Sequence, residues 1–228
     1  LSSSSAASDV YKRQAVAMGF ALAVALPNAG NIGGGGFMVV HDAKSGKNIA
    51  LDFREVAPSK ATRDMYVGAD GKVIDGKSLY THYAVGVPGT VAGMEHALKK
   101  WGSLPLSTVI APAAKLADKG FTVSETLAKI LEQEKKNMGQ WPATQAIFWR
   151  NGEPLKRGDR LVQKDLAQSL RLIGQQGSKV FYEGSIARKI AAEMAPHAGA
   201  LSLQDLKSYK VAEREPLRGT YRCLLYTS

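Results

Sequence analysis

Two short stretches near the start of the chain have strand character, and apolar residues recur at helical spacing through most of the rest. Gly36 to His41, a continuous apolar run, and Asn48 to Arg54 read as two strands. The polar Asp42–Lys47 segment between them contains Gly46 and predicts a turn, hence a β-hairpin. Pro58 stops the second strand, and Asp64 to Leu79 predicts a loop with a short strand-turn element. After Pro88, Val91, Met94, Leu98 and Trp101 recur at helical spacing. Leu106 to Lys119 predicts a second helix, ended by Gly120 where a glycine past the C-terminus is favoured. Ser124 is placed to cap a helix over Glu125 to Met138, and Trp141-Pro142-Ala143 then interrupts the pattern. Gln163 to Gly174 and Ser185 to Met194 predict further amphipathic helices, and Ser202-Leu203-Gln204-Asp205 has the form of a capping box. Val211 to Arg222 reads as a returning strand. Strands at both ends with helices between them imply one α+β domain carrying a helical insertion.

The apolar run Ala15–Leu26 admits two readings. With Lys12-Arg13 before it, it imitates a secretory signal; the alternative is a buried core helix. The buried helix is preferred, and the run is too short for the ~20 residues that cross a bilayer, so no membrane span is expected. Leu1 to Gln14 and Cys223 to Ser228 break from the patterns beside them and resemble adapter-derived tails. The organisation expected is therefore tails at 1–14 and 223–228 around a region at 15–222.

Composition changes this picture little. The net charge is +10 over 228 residues, but the basic residues are scattered and often lie beside acids, as in Glu132-Gln133-Glu134-Lys135-Lys136. No basic stripe studded with aromatics is present, so nucleic acid is not expected as a partner. The sole cysteine, Cys223, permits no intrachain disulfide and no cysteine-rich metal site.

Candidate chemistry concentrates in one place. Asn31-Ile32-Gly33-Gly34-Gly35-Gly36 lets backbone pass where no side chain fits, and the strand after Asn48 ends on Arg54. The glycines lack the spacing and the Lys-Ser/Thr of a phosphate loop, and a strand rather than a helix follows them, so close packing is the preferred reading. An arginine beside glycine-opened space suits a carboxylate, because its planar fork binds both oxygens. The competing reading salt-bridges Arg54 to Asp52 or Glu55 on the surface, where such pairs contribute little. The four histidines, His41, His82, His96 and His197, show no metal-binding spacing, so no metal is predicted and each reads as solvated or structural. No Gly-x-Ser-x-Gly elbow is present. Trp101, Trp141 and Trp149 read as core anchors.

The Asn31–Pro58 stretch closely resembles the large-subunit region of bacterial γ-glutamyltranspeptidases. So do Gly86-Val87-Pro88-Gly89-Thr90-Val91-Ala92-Gly93, Ala111-Pro112-Ala113-Ala114-Lys115-Leu116-Ala117 and Phe181-Tyr182-Glu183-Gly184, in the same order. The resemblance runs from about Ala15 to Arg222. It implies a partial αββα sandwich of the N-terminal-nucleophile hydrolase type, without its small-subunit strands. It implies that Arg54 holds the α-carboxylate of a γ-glutamyl group, and that no cofactor is needed. It implies a reaction in which the γ-glutamyl group of glutathione-like compounds passes to water, an amino acid or a dipeptide. The family's nucleophile is a threonine that heads the small subunit after self-cleavage of the precursor. No threonine here matches it, so no catalytic residue is assigned and the chain alone is expected to be inert. The small subunit of the same precursor is the implied partner, and the periplasm or exterior the implied location. A related acylase, or a non-catalytic binding domain of the same fold, is the alternative.

Overall fold

A computed structural model of the chain describes residues 3–221 and 224–227. Helix α1 spans Ser3–Ala25 and includes the apolar run up to Ala25, beginning well before Ala15. Val16, Phe20 and Val24, spaced one helical turn apart, are each at most 1% exposed. The buried-helix reading of this run is thus the one the fold adopts. Of the expected tails, Leu1, Ser2, Cys223 and Ser228 lie outside the described residues, as does Arg222.

The predicted hairpin forms from β1 (Phe37–Asp42) and β2 (Lys47–Asp52), antiparallel, with Val39 opposite Ala50. Then come α2 (Lys77–Tyr80), a 3-10 turn at His82–Ala84, α3 (Thr90–Trp101) and α4 (Leu106–Lys119). Gly120 ends α4 at φ 75°, where a side chain would be strained. Strand β3 (Phe121–Thr122) leads to α5 (Glu125–Gln133), capped by the Ser124 hydroxyl, which accepts from the Leu127 N–H. The single helix expected to Met138 is instead two, because Glu134 leaves helical geometry at ψ 8° and α6 (Lys135–Met138) starts afresh.

Trp141-Pro142-Ala143 does not break the chain into a loop. It starts α7 (Pro142–Phe148), with Pro142 in the first turn, where its missing N–H costs nothing. Short strands β4 (Trp149–Arg150), β5 (Glu153–Pro154) and β6 (Arg160–Leu161) follow, with β4 pairing β5 and β3 pairing β6. The remaining helices are α8 (Lys164–Gln176), α9 (Lys179–Tyr182), α10 (Ser185–Met194) and α11 (Leu203–Ser208). The capping box at Ser202 and Asp205 forms in both directions. The returning strand is shorter than expected. Strand β7 (Ala212–Arg214) joins β2 at the edge of the sheet. Glu215 and Pro216 then carry the chain away, since proline has no N–H for the ladder, and β8 (Arg218–Tyr221) pairs with β9 (Leu224–Thr227) instead.

The sheet order is β1-β2-β7. Its inner residues Val40 and Leu51, with Phe53 just past β2, share one core with α1, α3, α4 and α8. A second, small core of Val123, Leu127, Leu131, Leu155 and Leu161 holds the helical insertion. Lys100 and His96 of α3 both bond Glu213 of β7, which ties the edge strand to the helix layer. The outer face is bare: Phe37 is 64% and Val39 46% exposed, and β1 has no strand on its far side among the described residues. Of the three tryptophans expected in the core, only Trp101 is buried. Trp141 and Trp149 are only partly buried, and Trp141 walls a cavity.

Glycines set the tightest approach in the fold. A Cβ at Gly89 would collide with the Phe53 carbonyl, and one at Gly93 with the Phe53 side chain. A glycine-to-alanine change inside a helix ordinarily stabilises by about 1 kcal/mol. At Gly93 the sign reverses: Gly93→Ala is expected to destabilise by roughly 1–3 kcal/mol through overpacking. A urea midpoint that rises rather than falls would refute this.

Candidate functional site

Arg54 lies two residues beyond β2, where the chain leaves the sheet. Phe53 before it is buried and continues the β1–β2 ladder, its N–H donating to Gly36 O at 3.0 Å. Val56 after it bridges Val87. The backbone on both sides of Arg54 is therefore fixed, and its exposed side chain projects from a rigid base. Gly35 lies directly against this base: a Cβ there would sit 2.5 Å from Phe53 O and 2.8 Å from Arg54 Cα. The glycine run is a packing element, as its sequence pattern predicts.

The surface salt bridge that competed for Arg54 does not form. Asp52 pairs with Arg214 of β7 at 3.0 Å, and receives the Arg54 backbone N–H rather than its guanidinium. That N–H holds the Asp52 carboxyl below the usual carboxylate range, and Arg214 adds to the effect against the opposing cost of burial. Among the described residues the Arg54 guanidinium has no hydrogen bond or ion pair of its own. It borders a groove of about 510 Å³ with Asn31, Gly34, Glu55, Tyr66 and Tyr83. The guanidinium supplies a bidentate cation, and Asn31 and Glu55 flank Gly34 with acceptor oxygens. This combination suits a small zwitterion with a free carboxylate.

Two tyrosines that the sequence did not single out fix this base from below. The Tyr209 hydroxyl donates to Arg54 O at 2.9 Å, and its ring stacks on Tyr182. The Tyr182 hydroxyl donates to Pro88 O and accepts from the Ala92 N–H, locking the start of α3. Burial, then the charges of Asp52 and Glu55, push the Tyr209 phenol up to about 12, so it stays a donor. Tyr182 lies in the Phe181–Gly184 motif, whereas Tyr209 belongs to no pattern visible before folding. The sequence pattern marks Asp205 only as a cap. It also accepts the Ser59 N–H at 2.8 Å and so anchors the segment after Pro58 that borders the groove. The histidines too have partners: His41 bonds Asn48, His96 bonds Glu213, and His82 stacks on His197.

The sheet backed by helices on one face and bare on the other is an α+β layer of the N-terminal-nucleophile hydrolase type. A family model described as Gamma-glutamyltranspeptidase matches residues 13–227, and the chain belongs to that family. It is 50% identical over 209 residues to the glutathione hydrolase proenzyme of Escherichia coli (strain K12), covering 91% of this chain and 36% of that protein. The crystal structure of Helicobacter pylori γ-glutamyltranspeptidase superposes with a TM-score of 0.92 at 44% identity, over 95% of this chain and 62% of that one. The Acylase ACY 1 proenzyme of Pseudomonas sp. (strain V22) is 37% identical over 214 residues, 91% of this chain and 38% of that protein. The chain thus spans a little over a third of the length of these curated relatives.

The groove's anchor is sensitive to acid. Burial alone would raise the Asp205 carboxyl, but bonds from Ser202 and Ser59 outweigh it and hold it at about 2, against an ordinary 3.8. A folded-state value below the unfolded one stabilises the protein at higher pH, and that stabilisation is lost as pH falls from the unfolded value through the folded one. The loss is on the order of 2 kcal/mol between about pH 4 and pH 2. Urea midpoints across that range should fall less steeply in Asp205→Asn than in the unchanged protein; parallel slopes would refute the assignment.

Proposed function

We propose that this chain is the recognition half of a γ-glutamyltransferase and glutathione hydrolase. Arg54 holds the α-carboxylate of the γ-glutamyl donor, as the arginine of this motif does in the family. The observation that carries the reading is a guanidinium on a rigid base, facing a groove, with Asp52, the acid two residues before it, already paired to Arg214. A bidentate arginine selects a free amino-acid head over a glutamate whose carboxylate is tied up in a peptide bond.

The chemistry is assigned to a threonine in the downstream part of the precursor, exposed as a new N-terminus by self-cleavage. Its hydroxyl attacks the γ-carbonyl while its own α-amino group takes the proton. The tetrahedral adduct collapses to a γ-glutamyl ester and expels the donor's amine, which takes up the proton. Water or an acceptor amine then attacks the ester and releases the threonine. Arg54 takes no part in bond making; it sets where the γ-carbonyl lies relative to the hydroxyl, and positioning of this kind carries much of the rate. The exposed Phe37 and Val39 face, beside the open edge of β1, supports a downstream subunit packed there to complete the sandwich. The family's export to the periplasm or exterior is proposed with it. The similarity to Acylase ACY 1 favours a second reading, in which the same groove takes another acyl donor with a free carboxylate.

In the full-length protein, Arg54→Ala should raise KM for a γ-glutamyl anilide by roughly 10- to 150-fold, the equivalent of about 1.5–3 kcal/mol for a charged bidentate contact. Arg54→Lys should recover only part of this, since an ammonium cannot hold both oxygens. An unchanged KM would remove Arg54 from the site. A glutaryl donor turned over faster than a γ-glutamyl one would favour the acylase reading. The chain by itself is expected to show no γ-glutamyl anilide hydrolysis above background; robust turnover would refute the division of labour.

A further inference from the structure

One cluster of coordinating side chains stands apart from Arg54. His82 opens the 3-10 turn before α3. Glu193 lies in the last turn of α10, and His197 follows one helical turn later. The chain then reverses sharply. Ala198 takes φ 55°, a left-handed conformation that costs a residue with a Cβ about 1 kcal/mol or more. The Gly199 N–H returns to Met194 O at 2.9 Å. This reversal lays the His197 ring on that of His82, with centroids 4.1 Å apart and planes within 13°. Trp141 meets both rings edge-on, at 5.0 and 5.8 Å.

The three groups converge on one point. Glu193 Oε1 is 3.5 Å from Nε2 of His82 and 3.5 Å from Nε2 of His197. One coordinating atom from each of the three lies within 4.8 Å of the others. Hydrogen bonds from imidazole to carboxylate are shorter, about 2.7–3.2 Å. Two ligand atoms bound at about 2.0–2.1 Å on a tetrahedral ion stand roughly 3.3 Å apart. The spacing therefore matches shared coordination better than it matches two hydrogen bonds. An ion must lie in the plane of each imidazole, so the stacked rings need to rotate about their broad χ2 torsions to share one. A cavity of about 570 Å³, bordered by Thr81, Trp141 and Thr144, opens beside the cluster and leaves room for a fourth ligand.

We propose that His82, Glu193 and His197 form a binding site for a divalent transition-metal ion of the zinc class, with its fourth position open to the cavity. Two imidazoles and one carboxylate are a donor set that such ions favour over calcium or magnesium. The ion would clasp the end of α10 to the turn at His82–Ala84. That turn continues into Tyr83 and Val85, which border the Arg54 groove, so the clasp would steady one wall of it. Linear sequence hides the site because its halves are more than a hundred residues apart; only the Glu193–His197 pair, one helical turn apart, hints at it. The proposal does not depend on the activity assigned above.

The test uses the full-length protein stripped with a chelator and titrated with Zn²⁺ against a fluorescent competitor, and with Co²⁺ by visible absorption. One equivalent should bind with a ligand-field spectrum of imidazole and carboxylate donors, and Zn²⁺ should raise the melting temperature. His82→Ala, His197→Ala and Glu193→Gln should each weaken binding at least tenfold and abolish that rise, whereas His41→Ala should change neither. Glu193 is 62% exposed, so Glu193→Gln should melt like the unchanged protein without metal, and its binding then decides independently of folding. Equal Zn²⁺ affinity in the unchanged protein and in Glu193→Gln, or no uptake by the unchanged protein, would overturn the site.

Discussion

The fold turns on how closely Phe53 sits against glycine. Gly36 pairs with it through the backbone, and neither Gly89 nor Gly93 leaves room beside it for a Cβ. Because α3 approaches the end of β2 this closely, Gly89 and Thr90 donate their N–H groups to Gly34 O. The loop before β1, the strand end and the start of α3 thus become one hydrogen-bonded unit. A methyl group at either helix glycine would push these elements apart. Arg54 is the next residue along the chain, so its rigidity is inherited from this contact. The Tyr209–Tyr182 stack supports the same unit from the other side.

That arrangement separates two tasks that a surface arginine usually confuses. Structural pairing falls to Arg214, which neutralises Asp52 across the β2–β7 edge. Arg54 is left to the groove. Had β7 ended a residue or two earlier, Asp52 would have lacked Arg214 as partner and Arg54 would have been the nearer cation. The short returning strand, stopped by Glu215-Pro216, is long enough to bring Arg214 opposite Ala50 and beside Asp52.

Belonging to the γ-glutamyltranspeptidase family gives the bare face of the sheet a physical sense. A layer with Phe37 and Val39 turned to solvent is incomplete as a hydrophobic unit. The exposed Met18 and Leu22 of α1 belong to the same pattern of unspent apolar surface. It is the surface that the proposed downstream subunit would cover.

Local patterns made much of this legible. The β1–β2 hairpin, α3, α4, α8 and α10 and the caps at Ser124 and Ser202 follow from periodicity and from side chains bonding their own neighbours, forces that act over a few residues. The glycine run announced close packing because that property resides in a single residue type. What sequence left undecided was every contact between distant residues. The helix begun by Pro142 and the end of β7 before Pro216 have local causes that periodicity alone does not display. The choice of Arg214 for Asp52, of Tyr209 for Arg54 and of His82 for His197 lies beyond any local rule. These pairs are separated by scores of residues, and only the close approach permitted by glycine, with the core built around it, brings them together.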